Sequence, residues 1–305
     1  MERVPARRDP DKSRKQRPAT TPGGGDRARR FRTRSTGGGP TGPERLSGIH
    51  CVREALNARR RDLLRLWVEP GAQRGEGLEL CRRAEKLGVP VSEIDPQELL
   101  DRLDPASRRS NPQGIMLEAG PLPRLELDDL LEGRAEDERC LVILDGVEDP
   151  QNVGSLARVA ESAGAAGLIL SERRSPPLGP SVARASAGAI EWLPVARVGN
   201  LGRALDRVRE AGIWIVGADV DAPNSVFEVP DRIFSGPLAL VVGAEGRGLR
   251  TGIKQRVDHP VSIPMLGHVD SLNVSTASAV ILYELVRRRS ERAGAVQHGS
   301  PSPQG

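Results

Sequence analysis

Aromatic side chains are scarce in this 305-residue chain, which has three Trp, three Phe and one Tyr. Stacking of unpaired bases on rings, a common way to hold single-stranded nucleic acid, therefore has few candidate residues. The interior must be built mainly from Val, Leu, Ile and Ala. Cysteine is scarce too: Cys51, Cys81 and Cys140 lie far apart and form no C-x-x-C pair. That argues against a disulfide framework and suits a reducing cytoplasm. His50, His259, His268 and His298 show neither H-x-x-x-H nor H-x-E spacing, so no metal site is expected. No apolar run approaches the roughly 20 residues of a membrane span, and the charged N-terminus predicts no signal peptide.

Positive charge is present but unevenly placed. Residues 1–44 hold twelve Lys/Arg against five Asp/Glu, so this segment carries +7 and the rest of the chain −3. The segment is rich in Arg, Gly, Pro and Thr and cannot bury enough apolar surface to offset its chain entropy, which predicts disorder. It either attracts nucleic acid through counterion release, without sequence preference, or is a solvated extension. The stretch 291–305 reads as a second disordered tail.

Between the tails the pattern alternates between helix and strand, which predicts two α/β units. The first, 46–119, has helical segments at 49–60, 78–87 and 97–103, strands at 63–69 and 89–94, and an extended piece at 114–118. Residues 120–139, with Pro121, Pro123 and many acids, read as a linker. The second unit, 140–290, opens with CLVILD at 140–145, a continuous apolar run expected of a strand buried on both faces. A helix follows, with Val153, Leu156, Ala157 and Ala160 on one face. Further strands are predicted at 167–170, 192–198, 213–218, 238–242 and 260–264, and helices at 180–188, 201–211, 249–256 and 273–290. This is a mostly parallel sheet covered by helices, whose usual site lies at the carboxyl ends of its strands.

Three loops after such strands carry candidate chemistry. In DGVEDPQNVGSLAR, Asn152 sits at a helix start, where its side chain would cap free amides. Gly154 would permit close approach, and Arg158 lies further along the helix. In GAEGRGL (243–249), three glycines in six residues signal a tight turn with exposed amides, and Glu245 is pinned between two of them. That turn matches neither the G-x-x-x-x-G-K-[ST] nor the G-x-G-x-x-G fingerprint. In SIPMLGHVDSLNVSTASA (262–279), Ser271, Asn273 and Ser275 crowd the start of a helix, and capping explains only one of them.

Each loop alone fits an ordinary turn, but their joint order is specific. Asn152, Gly154 and Arg158 after one strand, Gly243, Glu245 and Gly248 after another, then I-P-M-x-G and S-L-N-V-S, together resemble the SPOUT class of RNA methyltransferases, and within it the TrmH or SpoU family. SGIHCVREAL (47–56) and NPQGI (111–115) further resemble the ends of the small RNA substrate-binding domain found in 23S rRNA guanosine 2′-O-methyltransferases. The sequence departs from that pattern at Pro112, where members usually have His. The arginines at 59–61, 82–83 and 108–109 could contact phosphates.

The resemblance implies a C-terminal trefoil knot, which topology rules alone would disfavour. It also implies S-adenosylmethionine as cofactor, RNA (23S rRNA) as partner, and a cytoplasmic homodimer. The expected reaction is methylation of a ribose 2′-hydroxyl, most simply on a guanosine of 23S rRNA. The alternatives are a tRNA ribose methyltransferase and a non-catalytic RNA-binding protein of the same fold. In that reading Arg158, Asn152, Glu245, Ser271 and Asn273 form the catalytic set, and Gly243, Ile263 and Leu272 hold the cofactor.

Overall fold

The computed structural model describes residues 42–132 and 139–298. The disorder expected for most of 1–44 and for the last residues of 291–305 concerns positions outside the described residues. Glu44 is an exception: it opens a strand that the sequence pattern did not reveal.

The first unit is a four-stranded sheet in the order β1-β4-β2-β3, formed by β1 (Glu44–Ser47), β2 (Leu63–Val68), β3 (Val91–Glu93) and β4 (Ile115–Ala119). β4 runs antiparallel to both β1 and β2, whereas β3 is parallel to β2. Helices α1 (Ile49–Ala58) and α2 (Glu76–Lys86) pack Val52, Leu56, Leu80 and Ala84 against Leu46, Leu66 and Leu117. α3 (Pro96–Arg102) covers the other face through Leu99, Leu103 and Met116. A short α4 (Pro105–Arg109), capped by Asp104, follows it.

The stretch read as a linker is partly structured. Leu127–Glu132 forms α5, and Leu125, Leu130 and Leu131 are buried against the second sheet. Acids and prolines dominate the composition there, and they hid the three leucines that seat the segment.

The second unit is a six-stranded sheet in the order β10-β8-β9-β5-β6-β7, with every pairing parallel. Its strands are β5 (Cys140–Asp145), β6 (Gly167–Ser171), β7 (Val195–Val198), β8 (Trp214–Ala218), β9 (Leu238–Gly243) and β10 (His259–Val261). β5 and β9 are buried along their whole length, because helices cover both faces as a parallel sheet requires. One face receives α6 (Pro150–Ser162), α7 (Pro180–Ala185) and α11 (Val274–His298). The other receives α5, α8 (Leu201–Glu210) and α10 (Thr251–Lys254). A short α9 (Asp231–Phe234) precedes β9.

Several predicted boundaries move. The strand expected at 192–198 begins at Val195, because Ala189–Glu191 is a 3₁₀ turn. The strand expected at 260–264 ends at Val261, which frees Ile263 and Pro264 for a loop. The last helix runs past Ser290 to His298.

The two units share one apolar cluster, which runs from Leu46 and Leu56 through Val182 and Ile190 to Leu144. A buried charge network pins the seam. Arg61, with no exposed side-chain surface, donates Nε to Glu191 at 2.8 Å and Nη1 to Glu44 and to the carbonyl of Gly120. Burial pushes the Glu44 carboxyl above its ordinary range, opposed by the Arg61 charge. Arg60 donates to the carbonyls of Glu191 and Leu193. On the far side of α7, Arg184 donates to Ser107 of the first unit.

Removing one partner from a buried charge set costs about 3–5 kcal/mol, because the others are left uncompensated. Arg61→Met should lower unfolding stability by that amount in urea titrations, whereas Arg207→Met, at an exposed ion pair, should change it by less than about 1 kcal/mol. Glu284 on α11 supplies a second, pH-dependent contribution. Hydrogen bonds from Arg287 and Arg288 hold its carboxyl down at about 2, against an ordinary value of 4.5. Its stabilisation is therefore full above 4.5 and fades as pH falls toward 2, by proton linkage. The gap in Tm between the parent and Glu284→Gln should close over that interval.

Candidate active site

Every strand of the parallel sheet ends at the same edge, so the loops after β5, β8, β9 and β10 meet there. Between them lies a cavity of about 350 Å³. The glycine turn 243–248 forms one wall, and the loop 262–272 with the first turns of α11 forms the other. The turn closes on itself because position 243 has no side chain: a Cβ there would stand 2.1 Å from the carbonyl carbon of Gly248. Gly246 and Gly248 adopt φ of 75° and 61°, the left-handed region that glycine enters without strain.

Five of the expected site residues line this cavity: Gly243, Glu245, Ile263, Ser271 and Leu272. Two more are tied to it by hydrogen bonds. Asn152 donates Nδ2 to Glu245 Oε2 at 3.2 Å, and Asn273 donates Nδ2 to Asn152 Oδ1 at 2.9 Å. The direction of this chain follows from its end member. A carboxylate only accepts, so Asn152 must offer its amide N–H to Glu245 and its oxygen to Asn273. Asn273 Oδ1 then remains to accept from the backbone N–H and hydroxyl of Ser275, which caps α11. Three segments distant in sequence are thereby locked together by side-chain amides.

One expectation about the first loop needs correction, and a second residue stands apart from the cavity. Asn152 does not cap α6; Asp149 does, accepting from the backbone N–H of Gln151. The Asp-Pro pair sets the cap earlier and leaves the Asn152 side chain free to face Glu245. Arg158 is not on the cavity wall. It lies six residues beyond Asn152 on α6, a rotation of roughly 240° at 3.6 residues per turn. Its side chain is exposed, with no hydrogen bond or ion pair among the described residues. Gly154 serves packing: a Cβ there would meet Ala185 Cβ at 2.4 Å.

Two ion pairs at the site went unread in the sequence. Asp145, fully buried at the end of β5 and in register with Gly243, accepts from Arg250 Nε at 2.6 Å and from the Arg250 backbone N–H at 2.9 Å. Lys254 on α10 reaches Asp219, which lines the cavity, at 2.7 Å. A carboxylate closing the apolar run CLVIL was a legible signal, since such a group requires a partner. Nothing near Arg250 in sequence identified it as that partner.

Glycine turn, cavity and strand-end position define an α/β domain that takes a small ligand at the edge of a parallel sheet. Comparison with known proteins specifies it further. The profile of the SpoU rRNA Methylase family matches residues 139–283, and that of the RNA 2′-O ribose methyltransferase substrate-binding domain matches 45–125. The 23S rRNA (guanosine-2′-O-)-methyltransferase RlmB of Vibrio vulnificus is 36% identical over 249 residues, 81% of this chain and 97% of that one. A Bacillus subtilis protein named for the TrmH family of tRNA/rRNA methyltransferases is 36% identical over 245 residues, 80% of this chain and 95% of its own. The crystal structure of the SpoU methyltransferase AviRb of Streptomyces viridochromogenes with its cofactor AdoMet superposes with a TM-score of 0.67 at 28% identity, covering 82% of this chain and 91% of that one. The chain belongs to the SpoU family of RNA methyltransferases.

The cavity fits S-adenosylmethionine, the cofactor of that structure. Its volume lies within the roughly 300–1,000 Å³ of small-molecule sites. Val261, Ile263, Leu272 and Ile281 offer an apolar wall to a purine, and the glycine turn offers backbone groups. Glu245 would place a carboxylate beside a ligand that carries a sulfonium and an ammonium, whereas Asp219 is already paired with Lys254. Among the described residues no group of His, Cys, Asp and Glu suits a metal ion, and no helix is long and apolar enough to cross a membrane.

Gly243→Ala should displace the 243–248 turn and weaken S-adenosylmethionine binding at least about tenfold, since misplaced contacts of this kind cost upward of 1.4 kcal/mol. Titration calorimetry reads this directly, with far-ultraviolet circular dichroism confirming that the sheet persists.

Proposed function

We propose that the protein transfers the methyl group of S-adenosylmethionine to a ribose 2′-hydroxyl of RNA, with a guanosine of 23S rRNA as the target. The observation that carries this reading is the hydrogen-bonded chain Asn273–Asn152–Glu245 closing on the cavity beneath the glycine turn. The preceding domain and the relatives named 23S rRNA (guanosine-2′-O-)-methyltransferases support the choice of substrate.

When bound, S-adenosylmethionine supplies a methyl group already activated by positive sulfur. The chain's own task is alignment, which is worth up to about 7–11 kcal/mol, and activation of a weakly acidic hydroxyl. Backbone groups of Gly243, Ile263 and Leu272 hold the adenosine. Glu245 and Ser271 would shape the wall, and the amide of Asn152, itself held by Asn273, fixes Glu245 at the cavity.

Arg158 is a poor general base, since its pKa exceeds 12. It would act by stabilising developing alkoxide charge and orienting an RNA phosphate; that phosphate, with solvent behind it, takes the hydroxyl proton as the oxygen accepts the methyl group and the sulfur keeps the bonding pair as the neutral thioether. In this reading Arg158 serves the site of a second copy, and the active form is a homodimer whose sites are completed across the interface; the exposed position of Arg158 off its own cavity supports this. Leu266 and Val269 beside the cavity and Tyr283 on α11 are exposed apolar groups available to that interface. A trefoil knot that threads the final segment behind the glycine turn belongs to the same reading, as does a cytoplasmic location, which the free, buried Cys51, Cys81 and Cys140 suit.

Tritium transfer from labelled S-adenosylmethionine to 23S rRNA, followed by mapping of the modified ribose, tests the activity. Label appearing only in tRNA would reassign the substrate, and label in neither would refute the activity. Arg158→Ala should keep its affinity for S-adenosylmethionine and lose about 100-fold or more in kcat. Mixing Arg158→Ala with Glu245→Ala chains should restore part of the activity, because mixed dimers hold one intact site. No restoration would mean that Arg158 and Glu245 of one and the same chain serve one site, and would overturn the shared-site reading.

A further inference from the structure

We infer that the groove between α9 and the distal end of α11 is a second RNA contact, which holds a single-stranded segment flanking the target by its phosphates and one base. This rests on the proposed RNA substrate but concerns a surface away from the cofactor cavity and outside the substrate-binding domain.

The groove encloses about 940 Å³, and Phe227, Arg232, Arg287, Arg288 and Arg292 line it. Its two carboxylates are already engaged: Asp231 pairs with Arg288 at 3.0 Å, and Glu291 pairs with Arg287 at 2.6 Å. Arg232 and Arg292 are exposed and have no partner among the described residues. The groove therefore presents two free guanidinium groups from facing elements, a geometry suited to successive phosphates.

The aromatic member is held out deliberately by its backbone. Phe227 is 53% exposed in a chain with three Phe, and it sits in the 3₁₀ turn Val226–Glu228 closed by a Ser225/Glu228 capping box. Arg288 donates to the carbonyls of Val229 and Phe227, and its guanidinium lies 5.0 Å from the Phe234 ring centroid. These bonds tie the backbone of the rim to α11, and the Phe227 ring faces solvent from it. A solvent-facing ring beside unpaired arginines is the combination that stacks a base while neutralising its backbone.

Placement links the groove to the reaction. α11 lines the cofactor cavity through Ile281 and the groove through Arg292, positions about 16 Å apart along a helix. Val226 also donates to the carbonyl of Ser262, a residue of the cavity wall. RNA leaving the reacting ribose along α11 would reach Phe227 within a few nucleotides.

The test uses the full chain and a fluorescein-labelled oligouridylate of about 12 nucleotides, within the usual site size for single strands. Anisotropy titrations run from about 50 to about 200 mM salt. Arg232→Glu/Arg292→Glu should bind the oligonucleotide at least tenfold more weakly, with a salt dependence shallower by about two phosphate contacts. Phe227→Ala should bind several-fold more weakly with an unchanged salt slope. Both variants should keep parental affinity for S-adenosylmethionine by calorimetry, which shows that the fold and the cavity are intact.

Parental RNA affinity in both variants overturns the inference, as does a parent chain that methylates 23S rRNA but does not hold the oligonucleotide. Sedimentation covers the rival occupant: a change of oligomeric state with RNA affinity unchanged would make the groove a face between copies and overturn the RNA contact. If the parent neither binds RNA nor transfers methyl, the proposed function itself fails.

Discussion

The cavity depends on one buried ion pair. Asp145 ends a strand that is otherwise apolar, and its side chain has no exposed surface, a place where an unpaired carboxylate is costly. Arg250 makes it tolerable with side-chain and backbone N–H groups together. In doing so it fixes the residue that follows the glycine turn to the strand that precedes the Asn152 loop. β9 anchors the start of the turn 243–248 through Gly243, and this tie anchors its exit. The hydrogen bond from Asn152 to Glu245 is exposed and spans 3.2 Å; it could not hold the turn alone. Rigid support below and an adaptable polar network above is a reasonable division for a site that must admit a bulky substrate.

Much of this was legible in the sequence, for reasons that differ by element. Continuous apolar runs and short loops gave the six parallel strands within a few residues, since strands buried on both faces tolerate little else. The cavity walls were legible because glycine triplets after a strand have few other uses. What escaped detection was mostly non-local. β1 is four residues long and gains its identity only by pairing with β4. α5 hides among acids. Arg158 matched its motif, yet a motif records spacing and not the side of the helix to which a residue projects. The Arg250 partner of Asp145 lies 105 residues away, beyond any local pattern.

Low aromatic content also takes on meaning in the structure. Core packing is done by branched aliphatics and alanine, and Phe234 is the one Phe among the largest fully buried side chains. Trp192, Phe227 and Tyr283 are instead about half exposed. A chain that can fill its interior without rings has its few rings available for surfaces.

The apolar cluster that crosses from the first sheet to the second governs how the chain can be divided. Leu46 and Leu56 belong to the same continuous interior as Leu144 and Leu170, and Arg61 satisfies an acid on each side of the seam. The N-terminal unit is therefore packed into the interior of the second and is not a bead on a string. Losing it would strand Glu191 without its cation and bare the flank of α7. Cutting the chain between the halves should therefore expose a wound in both rather than release two intact domains.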